Sequence, residues 1–326
     1  MRVLITGGAG FIGSNLADRL LERGDEVFII DDLSTGRETN VNEKAVFYSG
    51  SIEDNKLVEQ IFDKAAPDVV IHAAASYKDQ TAWQKDISVN VLGTANVVKS
   101  SIKHNVNRII YFQTSLCYGH HPKEQPITLS HPIQPDNSYS ISKTAAEQYI
   151  EMSGLDFISM RLANVYGPRN LSGPVPTFFH RLDNKKECFI SDARRDFIFI
   201  DDLIDIVIMA IDGKGEKGHY HIGTGHDDSI ETIFDYVANS MDLDFGVTEK
   251  PSQMFGRFWD DVKTILIDPK KTLEVFGKIP DTPLDVGIPA AIKWYYENGV
   301  VETYTHLSAD ELKIRSKEYE PNLEKK

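Results

Sequence analysis

Tyr139-Ser-Ile-Ser-Lys143 places a phenol and an amine four residues apart. On a helix, positions i and i+4 share a face, so the two groups would sit side by side. An ammonium beside a phenol favours phenolate, which would draw the Tyr139 pKa from its reference of about 10 toward neutrality. A phenol poised in this way can take a proton from a sugar or alcohol hydroxyl and later return it. Taken alone, a tyrosine and a lysine at this spacing form a plain helix face. Two other features change the reading: Thr114-Ser115 at the end of the preceding apolar run, and a glycine pattern at the start of the chain.

That pattern is Thr6-Gly-Gly-Ala-Gly-Phe-Ile-Gly13, which follows the apolar run Val3-Leu4-Ile5 and precedes an amphipathic segment carrying Leu16, Leu20 and Leu21. The order is strand, tight turn, helix N-terminus. It aims backbone N–H groups and the positive end of a helix dipole at a pyrophosphate. Gly7 permits the turn, Gly10 lets a phosphate approach, and Gly13 lets the helix pack on the strand. A second apolar strand, Val27-Phe28-Ile29-Ile30, ends in Asp31, roughly twenty residues beyond the glycines, where a carboxylate suits the adenosine ribose. Asp31 and Asp32 would repel a 2′-phosphate, which favours NAD over NADP, while nearby Arg37 keeps NADP open.

These groups need a scaffold, and the sequence supplies an alternating one. Strand patterns at Ala45–Tyr48, Asp68–His72 and Arg108–Phe112 are separated by helical patterns near Asn55–Lys64 and Ser88–His104, and a further helix begins near Ser138. Such alternation predicts an α/β fold, a doubly wound parallel sheet of Rossmann type with helices on both faces. Ligands then bind beyond the carboxyl ends of the strands, where Asp31, His72, Thr114 and Ser115 stand. From about residue 170 the rhythm breaks into shorter elements. The expected organisation is a dinucleotide-binding domain over 1–168, a smaller substrate-binding lobe over 169–306 with chain crossings back, and a charged tail over 307–326. The last helix is expected at Pro289–Glu297.

The net charge of −14, from 49 acidic and 35 basic residues, argues against nucleic acid or anionic membrane partners. No apolar run approaches bilayer-spanning length, no signal peptide is expected ahead of the first strand, and the two cysteines are too few for a disulfide framework. The cytoplasm is the expected compartment. The ten histidines show no metal-ligand spacing, so no metal is expected.

Further marks follow in order: Asp31-Asp-Leu-Ser-Thr-Gly-Arg37, His72-Ala-Ala-Ala75, Asn90-Val-Leu-Gly-Thr94, Thr114-Ser-Leu-Cys-Tyr-Gly119, Arg161-Leu-Ala-Asn-Val-Tyr-Gly-Pro168 and Arg195-Asp-Phe-Ile-Phe-Ile-Asp-Asp202. With the glycine motif and Tyr139…Lys143, they make the chain resemble the extended short-chain dehydrogenases/reductases of the NAD-dependent nucleotide-sugar epimerase/dehydratase group over nearly its whole length. The resemblance is to UDP-sugar 4-epimerases in particular. It implies that Tyr139 is the acid/base, that Thr114 hydrogen-bonds the reacting hydroxyl, and that Lys143 also binds the nicotinamide ribose. It places Gly7, Gly10, Phe11, Ile12 and Gly13 on the pyrophosphate. Asp31 falls on the adenosine ribose, with Asp32, Ser34, Thr35 and Gly36 close by. Ser51 and Ile52 fall at the adenine, with serine where the family carries aspartate. Ala73, Ala74, Ala75, Asn90 and Leu162 fall along the cofactor. For substrate it implies Asn164 and Arg195 on the diphosphate, Tyr77, Lys78 and Ser115 near the sugar, Val175 within a pocket-shaping Gly173-Pro-Val-Pro176, and Asp261 on a ribose.

Two departures carry information. The family's dehydratases follow the threonine with Asp-Glu, and its decarboxylases keep the Glu; here Ser115 and Leu116 stand in those places. Leucine transfers no proton. The expected reaction is therefore 4-epimerisation of a UDP-sugar through a transient 4-keto sugar. Dehydratase, decarboxylase or reductase chemistry, a dehydrogenase releasing NADH, and a non-catalytic NAD sensor or scaffold are the alternatives. The C-terminal Arg-Pro-Gly-Asp element of the family is replaced by Phe258-Trp-Asp-Asp261. The helices near Ser88–His104 and Ser138–Met152 resemble the pair that forms the family's dimer bundle, which implies a homodimer.

Overall fold

The alternating apolar and amphipathic segments become strands and helices in turn. The computed structural model describes residues 1–79, 81–245, 253–256, 263–300 and 302–304. In the first half, β1 (Arg2–Thr6), α1 (Phe11–Arg23), β2 (Glu26–Asp31), β3 (Val46–Ser49), α2 (Asn55–Ala65) and β4 (Val69–His72) come first. The single turn α3 (Trp83–Lys85) continues through a π-helical stretch, Asp86–Gly93, into α4 (Thr94–Lys103). Next are β5 (Arg108–Thr114), α5 (Ser138–Met152) and β6 (Phe157–Leu162). The second half holds β7 (Asn164–Tyr166), α6 (Pro174–Asp183), β8 (Cys188–Ser191), β9 (Arg194–Arg195), β10 (Phe197–Phe199), α7 (Ile200–Ile211) and β11 (Gly218–Ile222). It ends with β12 (Asp228–Ser229), α8 (Ile230–Phe245), β13 (Gln253–Gly256), β14 (Thr264–Ile265), α9 (Lys270–Phe276) and α10 (Leu284–Asn298).

Seven parallel strands form the main sheet in the order β11-β6-β5-β4-β1-β2-β3. Residues alternate between its faces. Val3, Ile5, Val27, Ile29, Val69 and Ile71 enter the core packed by α1, α7 and α10. Leu4, Phe28, Ile30, Val70, Ile109 and Tyr111 enter a second core with α2, α4 and α5. Apolar burial on both faces is what a parallel sheet requires. The strand order reverses between β1 and β4, so the crevice at their carboxyl ends is the natural ligand site. Register brings the ends level: Thr6 lies opposite Ile30 and His72, His72 opposite Tyr111, and Thr114 opposite Leu162.

After β6 the chain leaves the sheet for β7, β8, β9 and β10, with β7 paired to β10, and returns as β11 beside β6; β12, β13 and β14 then follow and complete the small sheets β12-β9-β14 and β13-β8. The last helix begins at Leu284, five residues before the expected Pro289, which lies inside it. The proline suggested a first turn. Tertiary packing decided otherwise: Gly287 fits so closely against Tyr166 and Phe199 that a Cβ there would lie 2.2 Å from the Tyr166 hydroxyl. No helix among the described residues is long and apolar enough to cross a membrane.

Candidate active site

A cavity of about 770 Å³ runs along the carboxyl edge of the sheet, and it starts at the β1–α1 turn. Gly7 has φ +71°, and a Cβ on it would sit 2.7 Å from the Ala74 nitrogen; one on Gly13 would sit 2.4 Å from the Gly7 oxygen. The turn therefore closes only with glycine at both places. Gly10 caps α1 without a side-chain hydrogen bond, and no acidic residue lies in the first turn. Phe11, Ile12 and Gly13 accordingly present N–H groups with no acceptor inside the helix, and all three line the cavity. This end of the cleft is a ready anion site.

Asp31 is buried at the tip of β2, where its Oδ2 accepts from the Ala9 N–H (3.0 Å) and its Oδ1 from the Leu33 N–H (2.8 Å). Burial raises its pKa above the ordinary carboxylate value, and neighbouring Asp32 adds to the rise. The carboxylate keeps acceptor capacity for a diol facing it across the cavity. Asp32, Ser34, Thr35, Ser51 and Ile52 line the same stretch. Gly36 does not; it supports Asp31 from behind, since a Cβ there would come within 2.8 Å of Oδ1. Arg37 is not on the wall either.

Ala73, Ala74 and Ala75 line the cavity beyond β4. They hang from a buried chain: Ala74 N–H donates to Thr6 Oγ1 (3.2 Å), Thr6 Oγ1 meets His72 Nδ1 (2.7 Å), and His72 Nε2 meets Thr94 Oγ1 (2.8 Å). Thr94 donates its own proton to the Asn90 carbonyl, so it accepts from His72, whose proton is therefore on Nε2. Burial, assisted by nearby Lys143, depresses the His72 pKa to about 3 and keeps the ring neutral. Asn90, expected along the cofactor, is turned inward and is not on the wall. Its Oδ1 accepts from the Ser76 N–H (2.7 Å), and its Nδ2 donates to the Ser76 carbonyl (3.0 Å) and Ser142 Oγ (2.9 Å). It thus ties the loop after β4 to α5.

At the far end, Asn137 and Ser140 form a capping box that starts α5, placing Tyr139 in its first turn and Lys143 one turn on. Both side chains line the cavity. Tyr111 Oη and Gln113 Nε2 donate to the Lys143 carbonyl at 3.0 and 3.1 Å, fixing α5 on β5. Gln113 Oε1 also accepts from the Thr114 N–H (2.8 Å), and Thr114 Oγ1 accepts from the Leu116 N–H (3.1 Å), which leaves the Thr114 hydroxyl proton to donate into the cavity. Lys143 is 3% exposed, with Nζ 4.1 Å from the centre of the Tyr111 ring. Burial lowers its pKa to about 7, against a smaller upward pull from Glu147. The Tyr139 phenol moves opposite to expectation. Burial pushes its pKa up, and Tyr77 and Asp86 add to the rise. Burial therefore opposes the phenolate that the spacing of Tyr139 and Lys143 suggested.

Asn164, Val175, Leu162, Tyr77 and Lys78 line the cavity. Lys78 Nζ lies 4.1 Å from the centre of the Tyr304 ring and 3.4 Å from Glu302, and Tyr304 is itself tied to the Leu171 carbonyl through its N–H (2.7 Å). Ser115 is buried in the tight turn Ser115–Tyr118 and is off the wall, because the chain coils inward directly after Thr114. Arg195 is off it too, with Nη1 donating to the Arg194 carbonyl (2.7 Å). Asp261 and its neighbours from Arg257 lie outside the described residues, as does the tail 307–326. Sequence reasoning missed Gln113, Arg169, Asn170 and Tyr304, all on the wall. Gln113 and Arg169 adjoin quoted motifs; Tyr304 had no local signal. One potential metal-ligand trio, Glu147, Glu151 and His219, occurs among the described residues, but it lies off the cavity and Glu147 is already paired with Arg161 at 2.9 Å.

The sequence model of the NAD dependent epimerase/dehydratase family matches residues 3–223. WbmH of Bordetella bronchiseptica, solved in complex with NAD+, is 47% identical, with TM-score 0.85 over 91% of this chain and 99% of that one. WbmG of the same organism, solved with NAD and UDP, is 39% identical, with TM-score 0.84 over 94% and 98%. A UDP-glucose 4-epimerase of Mycolicibacterium smegmatis is 30% identical over 315 residues, 90% of this chain and 98% of the relative. With the glycine turn, the strand-end carboxylate and the Tyr139–Lys143 helix all on one cavity, the chain belongs to the NAD dependent epimerase/dehydratase family.

Proposed function

We propose that the protein is an NAD-dependent nucleotide-sugar 4-epimerase acting on a UDP-sugar. The observation that carries this reading is the set of proton-transfer groups on the wall. Thr114, Tyr139 and Lys143 are there, whereas no carboxylate or imidazole on the described wall adjoins Thr114. Asp31 ends β2 and Asp32 follows it, three strands from β5, about 14 Å away at ordinary strand spacing. Asp79 is exposed in its loop. Leu116, where an eliminating enzyme needs an acid, packs against Cys117, Tyr118 and Ile127. Dehydration and decarboxylation lack their acid; a hydroxyl-to-ketone exchange does not need one.

The residues fit a dinucleotide. The first-turn N–H groups of α1 would hold its diphosphate, Asp31 its adenosine ribose, and Ala73–Ala75 and Leu162 its length. A 2′-phosphate would meet the carboxylates of Asp31 and Asp32 on the wall, which favours NAD over NADP. When bound, NAD would supply a hydride acceptor able to return the hydride, together with a positive charge. Tyr139 takes the proton of the C4 hydroxyl, Thr114 holds the oxygen, and Lys143 orients the phenol and binds a ribose hydroxyl. The keto sugar turns in the cavity, and Tyr139 gives the proton back on the other face. Positioning supplies much of the rate. WbmG's complex with UDP supports a uridine nucleotide.

We further propose a cytosolic homodimer. Ile141, Tyr149 and Met152 share an exposed face of α5, and Ile87 and Ile102 are exposed on the adjoining helix. Sedimentation should give twice 36.7 kDa. The decisive assay is NMR in heavy water with UDP-hexoses, UDP-N-acetylhexosamines and UDP-uronic acids. A C4 epimer free of deuterium is expected. Deuterium at C5 or C6, or an accumulating ketone, overturns the reading.

A further inference from the structure

Arg169 stands just past β7, with its backbone in the left-handed region at φ 70°. That conformation favours glycine or asparagine, so nothing in the turn itself calls for arginine. The guanidinium is held from one side. Its Nη2 pairs with Asp18 Oδ2 at 2.7 Å, and Asp18 Oδ1 in turn accepts from Asn42 Nδ2 at 2.8 Å. The preceding carbonyl, of Pro168, accepts from Asn15 Nδ2 (3.1 Å), which also donates to the Phe11 carbonyl (2.8 Å). Phe11, Asn15 and Asp18 follow one another along one face of α1. The turn is therefore strapped along the first two turns of the helix whose N–H groups open into the cavity.

The other side of the guanidinium is unanswered. Arg169 Nη1 is buried and has no hydrogen-bond partner, although the residue lines the cavity with Gly10, Phe11, Ile12 and Gly13. A buried charged donor without an acceptor calls for an explanation. A strained backbone that carries a functional side chain is one setting in which such a cost persists.

We infer that Arg169 is an anchor for the diphosphate of a dinucleotide, with Nη1 donating to a phosphate oxygen held at the start of α1. The planar fork suits this role, since one nitrogen is fixed by a carboxylate while the other is left without an acceptor, which lysine cannot reproduce. The inference rests on dinucleotide binding in this cleft and not on epimerisation. A nucleotide-sugar diphosphate carries the same chemistry, but Arg169 is fastened to α1, the dinucleotide's helix.

Titration calorimetry on the cofactor-free chain tests this, with NAD, ADP-ribose, adenosine and UDP as ligands. Arg169→Met should weaken NAD and ADP-ribose by at least about tenfold, as the loss of a charge-assisted hydrogen bond implies, and leave adenosine and UDP within about twofold. NAD affinity within twofold of the parent overturns the inference, and so does a loss that falls on UDP instead. Should that variant not fold, Arg169→Gln is read in the same way, and a crystal structure of the parent with NAD decides independently. Nη1 within about 3 Å of a diphosphate oxygen is expected; Nη1 left facing no phosphate overturns it. If NAD binds through Arg169 but no UDP-sugar turns over, the epimerase reading fails and this inference stands.

Discussion

At the β1–α1 end of the cleft the working groups belong mainly to the main chain: the N–H groups of Phe11, Ile12 and Gly13, a turn closed by Gly7, and a carboxylate held by two further N–H groups. At the β5–α5 end they are side chains, Thr114, Tyr139 and Lys143, held by more side chains, Tyr111, Gln113 and Asn90. In the first arrangement the N–H groups come almost without electrostatic cost, because helix-end N–H groups are unpaired in any helix, and only the Asp31 carboxylate is disfavoured by burial. The second is built against its own solvation: burial drives Lys143 down to about 7 and Tyr139 up. On the proposed function, binding falls to geometry that any βα turn of this shape provides, whereas proton transfer falls to groups whose ionisation burial disfavours. The reactive end should therefore be the pH-sensitive one, and there stability and activity should oppose each other.

The sharpest break comes from Tyr139→Phe. Turnover should fall by about 10² to 10⁴, the usual worth of a positioned acid/base, while NAD affinity stays within about twofold. A parallel loss of NAD binding, measured by calorimetry, would mean that the two ends are not separable. Gly13→Ala attacks the other end. Its Cβ would come 2.4 Å from the Gly7 oxygen, so stability should drop by about 1–3 kcal/mol in chemical denaturation, with NAD binding lost alongside.

Lys143→Met tests the electrostatic side of the comparison. The folded chain holds the Lys143 pKa at about 7 against 10.5 for the free side chain. Between those values the unfolded chain carries a proton that the folded chain has released, so the lysine's penalty is full below pH 7 and fades as pH rises toward 10.5. The variant should be inactive yet melt higher than the parent below pH 7, with the gain shrinking across that window in thermal scans. A variant that melts lower at all pH values would show that packing, not charge, dominates there. Asp31→Asn keeps only one carbonyl oxygen for the Ala9 and Leu33 N–H groups and should weaken NAD about tenfold with turnover at saturation nearly unchanged. Lys78→Ala is the mildest change: its ring contact with Tyr304 and partly exposed pairing with Glu302 should move stability by less than about 1 kcal/mol in denaturant titration.

Much of the backbone-built end was legible because its signals are local. Gly7, Gly10, Gly13 and Asp31 lie within one strand–turn–helix–strand unit, and their spacing fixes their geometry. Tyr139 and Lys143 were legible for the same reason, as an i, i+4 pair on one helix. Asn90 and Ser115 were misplaced because sequence gives the element but not the direction of a side chain. Asn90 faces inward from a π-helical stretch, and Ser115 follows a turn that coils away from the cleft. Tyr304 reaches the wall only through pairing with Leu171 and Gly173, a contact that no periodicity announces.

The sequence by itself determined the alternation of strands and helices, the switch-point cleft and the groups of residues that meet at its two ends, since each depends on residues near in the chain. Tertiary structure alone decided the ionisation of Tyr139 and Lys143, the start of α10 inside its proline, and the meeting of Arg169 with Asp18 and α1. Burial and packing are sums over groups far apart in sequence, and both take their values only once the sheet has closed its layers around them.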